Sequence, residues 1–101
     1  MNYEVKFTSY SRKDFDSLDN SQKNHIRKSL LKIEKDGMLV GQPLHGDLSD
    51  CRKLKHKRLG LQVFFKESDL GIEIIEIVVI GKRDDQEVYN IAENRLRKSA
   101  N

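Results

Sequence analysis

A chain of 101 residues, 37% of them hydrophobic, can build one compact core, so a single domain over residues 1–101 is expected, working through its surface and not a deep small-molecule pocket. The net charge of +3 lies wholly in the second half: residues 1–50 carry eight basic and eight acidic side chains, residues 51–101 eleven and eight. One cysteine, Cys51, excludes an intrachain disulfide and suits a reducing cytoplasm.

Tyr3, Val5 and Phe7 alternate with Glu4, Lys6 and Thr8, the period of a half-buried strand and not the apolar run of a signal peptide. Phe15 and Leu18 mark the apolar side of a short helix over residues 11–18. Asp19 and Gln22 have capping-box spacing for a second helix. Its Ile26, Leu30 and Ile33 recur at i, i+4 and i+7, and Gly37 stops it. Residues 41–50 hold the only proline, Pro43, and read as a loop.

Three strands follow. Residues 52–57 form a basic strand with Leu54 as its core candidate, and residues 61–65 an apolar, aromatic one. Residues 72–80 are rich in β-branched side chains and read as a central strand buried on both faces. They also contain Glu73 and Glu76 and are too short to span a bilayer, so a cytoplasmic protein without a membrane partner is expected. Links at 58–60 and 67–71 suit antiparallel hairpins. A last helix opens at Asp84 or Asp85, with Asp84 and Glu87 at capping-box spacing and Val88, Ile91, Ala92 and Leu96 as its stripe. The order β-α-α-β-β-β-α predicts an α+β fold: a small antiparallel-rich sheet with an N-terminal helical hairpin and a C-terminal helix.

Arg52, Lys53, Lys55, Lys57 and Arg58 fall within seven residues, with His56 among them and no acid. Such a patch points to a polyanion, although a charge run can equally be a solvated face.

Two stretches carry a resemblance. Gly41-Gln42-Pro43-Leu44-His45-Gly46-Asp47-Leu48 is similar to the Gly-x-Pro-Leu-x-Gly-x-Leu turn of the RelE/ParE superfamily of bacterial toxins. Ile80-Gly81-Lys82-Arg83-Asp84-Asp85-Gln86-Glu87-Val88-Tyr89 resembles the pattern that closes the last strand of its RelE-type members. Between them, Arg52-Lys53-Leu54-Lys55 and Leu59-Gly60-Leu61-Gln62-Val63-Phe64-Phe65 resemble the two strands that frame the family's active face. The resemblance implies the RelE-like toxin of a type II toxin–antitoxin pair. Its activity would be that of a ribosome-dependent mRNA interferase, an endoribonuclease with no metal and no cofactor. Its partners would be a cognate antitoxin and mRNA on the ribosome. ParE-type relatives instead inhibit DNA gyrase without cutting, and an inactive homologue that only binds its antitoxin is a further alternative.

RNA cleavage by the substrate's own 2′-hydroxyl needs a base, positive charge on the phosphate and a donor for the leaving 5′-oxygen. The sequence has no Cys/His cluster at metal-ligand spacing, no Gly-rich phosphate loop and no nucleophile elbow. The resemblance assigns the catalytic work to Lys53, Lys55, Arg83 and Tyr89. Residues two apart on a strand share a face at about 6–7 Å, so Lys53 and Lys55 can reach one phosphodiester as base or phosphate ligands. The alternative is a charged strand that discourages aggregation. Arg83 matches a phosphate clamp, the use for which a planar guanidinium is suited. Tyr89 matches a tyrosine that orients or stacks on the nucleotide.

Gln62 stands where the family usually has an arginine, which implies weakened phosphate stabilisation. Arg52, Lys57 or Arg58 can substitute, and these with Gln62 and Lys82 form the expected RNA-binding set. His56 alternates with the lysines and should face away from them, and His25 and His45 are given no role. Phe64 and the flank of the last helix near Tyr89 are the expected antitoxin-docking surface.

Overall fold

Both N-terminal helices open where a short polar side chain accepts a backbone amide. Thr8 Oγ1 accepts from the Ser11 N–H at 3.0 Å while Ser11 Oγ accepts from the Thr8 N–H at 2.9 Å, closing a capping box. Helix α1 therefore runs Ser9–Asp16, two residues earlier than its apolar residues alone predict. The expected Asp19–Gln22 box caps α2 (Asn20–Asp36), with bonds of 2.8 and 3.0 Å, and Gly37 ends that helix.

The computed structural model describes residues 2–82 and 85–99. Its strands are β1 (Glu4–Phe7), β2 (Gln42–Pro43), β3 (Cys51–His56), β4 (Leu61–Ser68) and β5 (Gly71–Lys82), and α3 (Asp85–Ser99) closes the chain. The predicted 41–50 loop is thus in part a two-residue edge strand, where Pro43 is tolerated, followed by a 3-10 turn at Gly46–Leu48. Asp84 and Arg83 lie outside the described residues, and with them the expected cap of the last helix and the expected phosphate clamp.

The sheet order is β1-β5-β4-β3-β2. β1 pairs with β5 in parallel, and every other pair is antiparallel. This is an α+β fold with a mixed, antiparallel-rich sheet. One face packs Val63, Phe65, Ile75, Ile77 and Ile80 against Ile26 and Ile33 of α2, with Phe15 of α1 alongside. The other packs Phe64, Val78 and Val79 against Val88 and Ala92 of α3 and Leu44 and Leu48 of the preceding loop. β5 lies between β1 and β4 and has both faces covered over residues 75–80, as its β-branched run predicts, while β4 and not β5 is the middle strand of the five.

A bulge makes those two layers compatible. Phe64 pairs with Val79 but Phe65 pairs with Ile77, so Val78 is an extra residue on β5. Ile77 and Ile80 consequently share the α1–α2 face, and the adjacent valines share the α3 face. No helix of the described residues is long and apolar enough to cross a membrane.

Candidate active site

The alternation along β3 divides the basic run between two faces. Cys51 packs in the α3-side core and Leu54 against the α1–α2 side, so Lys53 and Lys55 share the α3 face. Lys53 lies across from Phe64 of β4, and Lys55 across from Gln62. His56 turns the other way, as its alternation predicts, and meets His25 of α2 edge-on with ring centroids 4.9 Å apart.

Lys53 finds its partner on α3. Its Nζ donates to the Tyr89 Oη at 3.1 Å and sits 5.4 Å from the centroid of that ring. Tyr89 in turn leans on Phe64, with centroids 5.2 Å apart and planes inclined by 58°. The tyrosine is thus wedged between a cation and an aromatic support, with its hydroxyl held at the ammonium group. Lys55, two residues along the same face, is exposed. Lys57 and Arg58 are exposed in the 3-10 turn joining β3 to β4, and exposed Lys82 ends β5 at that same end of the sheet. Lys53, Lys55, Tyr89 and this basic rim therefore come from three segments of chain: β3 with the turn that follows it, the end of β5, and α3.

Three expected residues are placed differently. Arg52 lies on the opposite face from Lys53. Its Nε donates to the Val40 carbonyl at 2.9 Å and its Nη2 to the Gly41 carbonyl at 2.6 Å, so it ties β3 to the segment before β2. Gln62 is only 1% exposed, and its Nε2 donates to the Lys82 carbonyl at 3.4 Å. It braces β4 on β5 and is covered, unlike the exposed Lys57, Arg58 and Lys82 of the RNA-binding set in which it was expected. Phe64 is fully buried beneath α3 and offers no docking surface of its own, contrary to expectation.

Cys51, two residues before Lys53 on the same face, adds no nucleophile. Burial pushes its thiol from 9.0 up to about 11; Lys66 opposes this, while Asp50 and Glu76 add to it. At neutral pH it is a protonated, 1% exposed thiol. Among the described residues, no group of three or more His, Cys, Asp or Glu side chains could hold a metal ion.

One feature of the site's surroundings had no signal in the sequence. Asp14 of α1 and Arg95 of α3 form a forked ion pair, with Nη1–Oδ2 at 2.6 Å and Nη2–Oδ1 at 3.0 Å. The two residues are 81 positions apart, and neither belongs to a local motif.

The fold is thus a mixed-sheet α+β domain in which a lysine and a tyrosine are hydrogen-bonded beside exposed basic residues. Over 97 residues the chain is 32% identical to a RelE-like toxin protein of Escherichia coli, an alignment covering 96% of this chain and 100% of that one. The chain belongs to the family of RelE-like toxins. It is also 24% identical to the mRNA interferase toxin RelE of Escherichia coli K12, over 95% of this chain and 99% of the relative. Among solved structures, a doubly substituted E. coli toxin RelE in the free state superposes with a TM-score of 0.78, at 23% identity over 94% of this chain and 98% of that one. The RelBE2 toxin–antitoxin complex of Mycobacterium tuberculosis supplies a chain that matches with a TM-score of 0.70, at 18% identity over 82% of this chain and all of the other. No protein-family model matches the chain.

Proposed function

We propose that this chain is an mRNA interferase, a ribosome-dependent endoribonuclease that cleaves without a metal. The observation that carries the reading is the Lys53–Tyr89 contact on an open face, with Lys55 beside it and Lys57, Arg58 and Lys82 at its rim. The RNA 2′-oxygen attacks the adjacent phosphorus as its proton passes to a base. The bond to the 5′-oxygen breaks as that oxygen takes a proton from a neighbouring ammonium group or water, leaving a 2′,3′-cyclic phosphate and a free 5′-hydroxyl. Lys53 and Lys55 supply the base and a phosphate ligand, because neighbouring positions of one strand face let both reach a single phosphodiester. Tyr89 orients the nucleotide, its ring fixed by Phe64 and its hydroxyl by Lys53. Arg83 enters as phosphate clamp on the resemblance of its segment to the family pattern.

The test is cleavage of mRNA on programmed ribosomes, with new 5′ ends mapped for wild type and Lys53→Ala. The reading requires cuts by the wild type and their loss in the variant. A wild type that leaves the message intact while blocking gyrase supercoiling would replace this reading with the ParE-type one. The observation favouring that second reading is the uncharged, buried Gln62 in the arginine position. The partner is proposed to be a cognate antitoxin, since E. coli RelE has been solved in complex with an antitoxin RelB peptide. With Phe64 covered, what remains of the expected docking surface is the flank of α3 near Tyr89. Co-expression with the neighbouring antitoxin should restore growth to a host poisoned by this chain. A host unharmed by the chain alone would count against toxicity itself.

A further inference from the structure

Helix α3 delivers Tyr89 to Lys53, yet its apolar stripe does not fix how the helix is rolled. Val88 and Ala92 are buried and Leu96 packs beside them, and such contacts are non-directional. On an ideal helix Tyr89 and Arg95 flank that stripe on opposite sides, each about 60° from Ala92. A roll that lifts one therefore lowers the other. At the side-chain radius of about 5–6 Å, a roll of about 20° moves a tip by about 2 Å. That displacement is enough to break the 3.1 Å bond between Lys53 and Tyr89.

Arg95 has the directional contacts that the stripe lacks. Beyond its fork to Asp14, its Nη1 donates to the Val78 carbonyl at 2.9 Å, and Asp14 Oδ2 accepts from the Ile80 N–H at 3.1 Å. β1 ends opposite Ile77, so these backbone groups lie on β5 just past the end of its parallel partner. Val78 is the bulged residue, which anchors the pair to one of the two register shifts between β4 and β5. Asp14 and Arg95 are each 18% exposed in their side chains, and the Arg95 guanidinium also lies 5.4 Å from the centroid of the Tyr10 ring. The pair thus links α1, β5 and α3 across the sheet. At the other end of α3, Val88 approaches Gly81 so closely that a Cβ there would lie 3.0 Å from the valine Cγ2.

We infer that Asp14 and Arg95 are positioning residues that set the roll of α3 and thereby hold Tyr89 against Lys53. Their catalytic consequence rests on the ribonuclease reading above; the geometric claim does not. The experiment measures both, on the full chain. Nuclear Overhauser contacts between the Lys53 Hε protons and the Tyr89 ring are recorded for wild type, Asp14→Asn, Arg95→Lys and Arg95→Leu. Sheet amide shifts verify that each variant is folded. Asp14→Asn and Arg95→Leu should lose the contact with the sheet intact, while Arg95→Lys, which keeps the charge but not the fork, should retain part of it. Should Arg95→Leu not fold, the two milder variants decide on the same signal. An undiminished contact in the folded variants overturns the inference.

Single-turnover cleavage at saturating ribosomes is then expected to fall about tenfold, with the half-saturating concentration unchanged, since orientation and not binding is lost. Loss of the contact with no change in rate leaves the positioning role standing and removes Tyr89 from the proposed mechanism. A wild type that does not cut sinks the ribonuclease reading, and the Overhauser contacts still decide the geometric claim.

Discussion

Replacing Tyr89 with phenylalanine removes one oxygen and leaves the rest of the cluster in place. The ring would still rest 5.2 Å from Phe64 and still offer its face to Lys53 at 5.4 Å. Only the 3.1 Å bond from Lys53 disappears. Hydrogen bonds to charged groups contribute about 1.5–3 kcal/mol. Lys53 is half-buried, however, so water can take the place of the hydroxyl and the stability loss should be about 1 kcal/mol. For a domain of this size that lowers Tm by about 4–8 °C. The rate should respond far more. The lost bond also frees the Lys53 ammonium and the ring that orients the nucleotide, and a misplacement of about 1 Å costs about a hundredfold, or about 2.7 kcal/mol of barrier. Binding and its salt dependence should not change, because no cation is removed. Single-turnover cleavage, thermal melting and titration with an mRNA oligonucleotide measure the three quantities. A folded Tyr89→Phe protein that cuts at the wild-type rate refutes the role given to the hydroxyl.

The Lys53→Ala, Lys55→Ala double variant should bind a single-stranded mRNA oligonucleotide with a salt slope shallower by about 1.4, the value for two lost phosphate contacts; an unaltered slope would place the RNA elsewhere. The raised Cys51 thiol stabilises the fold fully below its unfolded value of 9.0, and that contribution should fade as pH rises through about 11, seen as a falling denaturation midpoint absent from Cys51→Ser. Gly41→Ala should destabilise the chain by about 2–3 kcal/mol in urea melts, because Gly41 has φ 80° and a Cβ there would overlap the Lys53 carbonyl.

What the sequence revealed of the fold was its local part. The Asp19–Gln22 box, the Ile26–Leu30–Ile33 stripe and the Gly37 stop are each encoded within one or two turns of chain and appear as read. The earlier start of α1 was missed because Thr8 and Ser11 form a box without the glutamate or glutamine that marks one in sequence. The parallel pairing of β1 with β5 could not be read, since a period of two reports which residues are buried but not which strand lies alongside. The bulge was hidden for a related reason. In the run Ile77–Val78–Val79–Ile80 every residue is apolar and β-branched, so no break in alternation betrays the extra one.

The site divides along the same line. Lys53, Lys55 and Tyr89 were named from a resemblance and from strand alternation, and alternation alone suffices to put the lysines on one face and His56 on the other. What alternation cannot give is depth. Lys55 and Gln62 are cross-strand partners on the same sheet face, yet the lysine is exposed and the glutamine is buried against the Lys82 carbonyl. The difference arises because β3 lies toward the edge of the sheet, with only the two-residue β2 outside it, whereas β4 is flanked by β3 and β5. A neutral amide fits such an interior position, since it can bond a strand carbonyl without the desolvation cost of a buried guanidinium. The uncharged residue is therefore consistent with its place in the sheet. Among the described residues, the exposed positive charge at this end of the sheet is that of Lys55, Lys57, Arg58 and Lys82.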